Sequence, residues 1–170
     1  MEDKLKKIFD VLTQLVGLHR QLLEFIRVER LHLAAADVQG IQLVADQKYH
    51  LVQEIHRVET LRMKLLAELV VESKLSLREL TLAQLILVLE ADDPKLAQQF
   101  SSLRSTLLVL TQRISDQNQE NLALIERSLG NIEAMKSNLF ASQNSHSETY
   151  SQQGQKVSTS SPHRILSQEV

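Results

Sequence analysis

The sequence contains no cysteine, and only four glycines and two prolines are spread over its 170 residues. Without cysteine there can be no disulfide, no thiolate nucleophile and no cysteine-ligated zinc, and a reducing compartment, the cytoplasm, is the natural expectation. The scattered glycines form neither a Gly-x-Gly-x-x-Gly nor a Walker arrangement, so no phosphate-cradling loop is expected. Aromatic residues make up 4% of the chain and the formal net charge is -2, which leaves neither a stacking platform nor a basic footprint for nucleic acid. The strongest apolar run, Leu85-Ile86-Leu87-Val88-Leu89, is far below the ~20 residues a spanning helix needs. No stable membrane insertion is expected. Lys4, Lys6 and Lys7 before Ile8-Phe9 imitate the start of a signal peptide, but Asp10, Thr13 and Gln14 break the run.

Apolar residues nevertheless form 43% of the sequence, and with few aromatics Leu, Ile and Val must carry the core. That is a helical-bundle composition. From Leu5 they recur at 5, 8, 12, 15, 22, 26 and 33, in steps that align them on one helix face, with His19 and Glu29 in the two missing positions. A second seam runs through Ile41, Val44, Leu51, Ile55, Val58, Leu65 and Leu69, with Lys48 and Arg62 in its gaps. Between the two, Ala34-Ala35-Ala36-Asp37 is short enough to impose an antiparallel hairpin, and Asp37 suits the N-cap of the second helix. A turn centred on Asp37 brings Glu29 within about one helical turn of Lys48, where an ion pair across the seam would fix the register.

Ser76-Leu-Arg-Glu79 fits a capping box, which predicts a short helix from there to about Glu90. Asp93 then reads as an N-cap and Pro94 as a first helical residue, opening a long helix to about Phe140. Its proximal seam, Leu96, Phe100, Leu103, Leu107, Leu110 and Ile114, should pack on the hairpin. The apolar pattern then stops over Ser115-Asp-Gln-Asn-Gln-Glu-Asn121 and resumes at Leu122, Ile125, Leu129, Ile132, Met135 and Leu139. A heptad count makes the gap a stutter that rotates the apolar face, with Asn118 and Asn121 as register residues at the junction. Gly130 lowers helix propensity in the distal half. After Phe140 the composition turns to Ser, Gln, Asn and Thr, which cannot bury enough surface to fold alone. The expected organisation is an all-α, elongated antiparallel bundle over residues 1–140 and a Ser/Gln-rich flexible tail over 141–170.

No convergent chemistry emerges from the titratable residues. Glu29-Arg-Leu-His32 has the Glu-x-x-His spacing of di-iron bundles, but a second such motif is absent, and His50 and His56 do not share a helix face. None of His19, His32, His50 and His56 stands in the basic, glycine-bearing turn of a phosphotransfer histidine, and no nucleophile elbow is present. No enzyme activity, cofactor or metal is expected. What the pattern suits is binding to another helix.

The order and spacing of several elements resemble the FlgN-type flagellar export chaperones. These are Leu22-Leu23 before Glu29, Asp37 at the turn, Lys48 followed by Leu51, and Arg62. Further along come Asn118-Gln-Glu-Asn121-Leu122, the run Leu124-Ile-Glu-Arg-Ser-Leu129, and Thr149-Tyr150 with Gly154. The resemblance implies a cytoplasmic chaperone that binds the hook-filament junction proteins FlgK and FlgL before export. In that picture Leu122, Ile125, Leu129, Ile132, Met135 and Leu139 take the cargo's amphipathic terminal helices, and Tyr150 docks on the export gate protein FlhA. The same six apolar residues would serve equally as core against the hairpin. A generic coiled-coil adaptor, or a secretion chaperone for other substrates, would show the same seams.

Overall fold

The computed structural model describes residues 2–73 and 81–145. Among them there are four α-helices and no strand: α1 Glu2–Ala34, α2 Val38–Ser73, α3 Leu82–Asp92 and α4 Pro94–Ser145. The chain divides into two units, Met1–Ile125 and Glu126–Val170.

In the first unit α1 and α2 form the antiparallel hairpin that the short link demands. The turn is a Schellman motif: the N–H of Asp37 bonds the carbonyl of His32 at 3.0 Å and that of Ala36 bonds Leu33 at 3.2 Å. Ala36 takes the left-handed position that glycine usually fills, at φ 52. Asp37 then starts α2, its Oδ1 accepting from the Gly40 N–H at 3.1 Å. Its other oxygen lies 2.9 Å from Nδ1 of His32. Gly40 has no side chain for a steric reason, because a Cβ there would collide with His32 and Asp37. At the opposite end, Lys4 Nζ reaches Glu72 at 2.6 Å, and this bond raises the lysine and lowers the carboxyl from their ordinary values.

α1 is the central helix, and its buried face is wider than the heptad pattern suggests. Leu22 and Ile26 cluster with Leu51 of α2, while Val16 and Leu23 cluster with Leu110 of α4. Val11, Val16 and Leu23 fall outside the predicted seam because one seam describes one neighbour, and α1 has two. In α2 the predicted Leu65 is only partly buried and Leu66 takes the core position at 1% exposure. The predicted Val58 and Leu69 stay in the core at 0% exposure, so the buried face of α2 here is wider than one seam.

α3 begins later than expected. Thr81 is its N-cap, with Oγ1 accepting from Gln84 N at 3.3 Å. Thr81-Leu-Ala-Gln84 matches the same capping pattern as Ser76-Leu-Arg-Glu79, which lies outside the described residues. Asp93 closes α3 and opens α4 at once: its N–H bonds Leu89 O at 2.8 Å and its Oδ1 accepts from Lys95 N and Leu96 N, both at 3.1 Å. Leu85, Ile86 and Leu89 of α3 join Phe100 of α4, Leu66 and Leu69 of α2, and the first turns of α1 in the main core. Phe9 and Phe100 meet edge to face at 5.6 Å. The proximal seam of α4 therefore packs on the hairpin, as its spacing requires.

The polar stretch 115–121 does not interrupt α4, which runs through it to Ser145. Nor does the seam leave the bundle there. Ile114, Gln117, Asn121 and Ile125 succeed one another by three, four and four residues, which keeps them on one line of a regular α-helix at about 100° per residue. Within the first unit the polar residues occupy the seam, and the rotation inferred from the heptad count is not required.

Candidate functional site

Asn121 is buried at 4% exposure. Its Nδ2 donates to the carbonyl of Ile26 and to Glu29 Oε2, both at 3.0 Å. Lys48 Nζ donates to the same carboxylate oxygen at 2.7 Å. Three helices are thus joined by one half-buried carboxylate. Its Coulomb gain is offset by desolvation, so its main effect is on register: no slip of one helix by a turn keeps all three bonds. Beside it Arg30 pairs with Glu120, while Asn118 is exposed.

These contacts show where the hairpin stops supporting α4. Sequence separations of 90 for Arg30 and Glu120 and 92 for Glu29 and Asn121 put the end of α1 at Ala34 level with roughly residue 125. α1 has no further residues to offer beyond that level. The first unit ends at Ile125. Leu122 and Ile125, near its end on α4, are 55% and 39% exposed.

In the second unit every residue from Glu126 to Ala141 is exposed. Leu129, Ile132, Met135 and Leu139 are 55%, 49%, 67% and 64% exposed, and Phe140 stands with them at 58%. At about 100° per residue these five side chains fall within an arc of roughly 140° on one helix. Single exposed leucines on a protein surface need no explanation, but a row of five at helical spacing on a segment exposed throughout from Glu126 to Ala141 does. Neighbouring side chains here are polar or charged, and the row has the width of a stripe that normally faces a second helix. Phe140 lies outside the predicted row and joins it at the margin next to Leu129 and Glu133. Tyr150 and Gly154 lie outside the described residues.

The other candidate side chains have local partners. His19 Nδ1 bonds the carbonyl of Leu15 at 2.7 Å, one turn back. Glu29 is engaged with Lys48 and Asn121, and His32 with Asp37, so the Glu-x-x-His pair is divided between two different contacts. An apolar depression in the first unit is lined by Leu12, Met63, Leu82 and Leu107, with Arg62 and Arg104 at its edge. Arg62 is already bound to Glu59 there. Among the described residues no helix is long and apolar enough to cross a membrane.

Fold and site together define an all-α protein that builds a small bundle from three long helices and a short one, and then exposes the apolar face of one of them. A family model described as FlgN protein matches residues 1–158, and the chain belongs to that family. Its members are flagellar export chaperones, which bind flagellar export substrates. Comparison with curated proteins and with solved structures finds no match.

Proposed function

We propose that this chaperone binds the hook-filament junction proteins FlgK and FlgL in the cytoplasm and delivers them to the export gate. The observation that carries the reading is the exposed row Leu129, Ile132, Met135 and Leu139 in the second unit. Leu122 and Ile125, exposed at the end of the first unit, are proposed as cargo contacts as well. Terminal segments that become amphipathic helices only on assembly are an aggregation hazard beforehand. Laying their apolar faces along an equally apolar helix removes that hazard without unfolding anything in the chaperone. Glu29, Lys48 and Asn121 act here as structural residues that hold α4 in register; Asn118 stands exposed beside them.

The test is Leu129→Asp combined with Ile132→Asp. Both positions are exposed, so helical content should be nearly unchanged, while capture of purified FlgK and FlgL should be abolished. Undiminished capture by the double variant would remove the stripe from the cargo site. Wild-type protein that captured another exported protein but neither of these two would keep the chaperone role and change the cargo.

Tyr150 is proposed to dock on the gate protein FlhA. In the Tyr150→Ala variant cargo affinity should persist while secretion of the cargo falls. An equal loss of both would move Tyr150 into the cargo site.

A further inference from the structure

The charges of the second unit are arranged as if for a partner. Glu126, Arg127, Glu133 and Lys136 are all exposed, and none of their side chains has an ion-pair or hydrogen-bond partner among the described residues. In the first unit, by contrast, Lys4, Arg30, Lys48, Arg57 and Arg62 are each bound to a carboxylate. Arg127 falls on the helix face away from the apolar row, while the other three charges stand within the row or at its edge. Lys136 follows Ile132 by four residues and precedes Leu139 by three, so it occupies a seam position inside the apolar row. Glu126 and Glu133 are seven residues apart and lie along one margin of that row, next to Leu129 and Phe140. The opposite margin carries Asn131 and Asn138, also seven apart and uncharged. In paired helices, charges at the margins choose the partner and a single seam lysine fixes its register. A seam lysine is costly against a purely apolar partner.

Resting on the reading of this row as a helix-binding face, we infer that its occupant is an amphipathic helix with basic residues a heptad apart along its margin and one carboxylate within its apolar seam. Glu126 and Glu133 recognise the basic margin, and Lys136 recognises the seam carboxylate. Apolar contact provides the bulk of the affinity. The charges discriminate among helices that would otherwise all fit, and they set the register.

The test uses the full chain and two synthetic amphipathic peptides about three heptads long, with the same leucine seam and one seam aspartate. One carries lysine at both margins and the other glutamate. Wild-type protein should bind the lysine peptide about three- to tenfold more tightly, with the difference shrinking at high salt. Glu126→Lys with Glu133→Lys should invert the preference. Lys136→Leu should weaken both peptides by a similar factor and leave their ratio in place. All these positions are exposed, so circular dichroism should be unaltered. Equal affinity of the two peptides for wild-type protein overturns the charge assignment and leaves the apolar face as a docking site. Tighter binding of both peptides by Lys136→Leu overturns the seam contact. Failure of both peptides to bind wild-type protein overturns the inference together with the docking reading beneath it.

Discussion

The two units use the same residue types for opposite ends. In the first, leucines and isoleucines such as Leu12, Ile26 and Leu89 are almost wholly buried, and the lysines and arginines noted above are each bound to a carboxylate. In the second, the described leucines and isoleucines are about half exposed, and Glu126, Glu133 and Lys136 make no ion pair among the described residues. Hydrophobicity alone does not distinguish them. What differs is whether a neighbouring helix is present. Up to residue 125 α4 has α1 beside it, and α1 ends at Ala34. A helix longer than its support leaves its apolar face available, which a binding protein requires and a purely structural bundle avoids.

The sharpest way to break that contrast is to truncate one apolar side chain in each unit. Phe100→Ala removes a fully buried ring and should cost about 3–5 kcal/mol in urea unfolding. Met135→Ala should stay within about 0.5 kcal/mol, because the side chain is already in solvent. A comparable loss from both would mean that the distal row is buried in solution and not free for a partner.

A smaller effect is expected from the polar clamp. Asn121→Ala removes both amide bonds, leaving Lys48 as the donor to Glu29, and should cost about 1–3 kcal/mol. Asn118→Ala, three residues away and exposed, should change stability by less than about 0.5 kcal/mol. Equal effects from the two asparagines would deny Asn121 its special position in the seam.

The smallest expected effect concerns the hairpin turn of the first unit. The Gly40 N–H, and after it His32, holds the Asp37 carboxyl below its ordinary value of 3.8. Since the folded value is the lower one, the stabilisation is complete above 3.8 and is lost as pH falls through the folded value. Asp37→Asn keeps a capping oxygen but removes the titration. The difference in thermal midpoint between wild type and this variant should therefore be largest near neutral pH and close on acidification. A constant difference over the whole range would show that the charge of Asp37 contributes nothing.

Much of this organisation is legible in the residues themselves. The three-four spacing from Leu5 reports a helix whatever it packs on, because the period is a property of the backbone. The turn at Asp37 and the break at Asp93-Pro94 are equally local: a carboxylate beside free N–H groups, and a proline where no donor is needed. Heptad counting was less reliable. It includes Leu65 but not the buried Leu66, because a single seam is narrower than the buried face, and it makes the stretch Ser115–Asn121 a rotation of the apolar face, since a seven-residue repeat presumes a supercoil that a straight helix does not follow. Phe140 also lies outside the predicted row and joins it at the margin.

Sequence by itself therefore determined the helices, the hairpin, most of the caps and the residues available for a seam. Only the tertiary structure decided which seam residues are covered. Asn121 is polar and buried, and Leu129 is apolar and exposed, a reversal that no hydropathy pattern contains. The reason is that burial depends on what lies across from a residue. For Asn121 that is α1, with a carbonyl at Ile26 and a carboxylate at Glu29 to satisfy its amide. For Leu129, in the second unit, the side chain remains exposed, and its row is where a partner helix is proposed to bind.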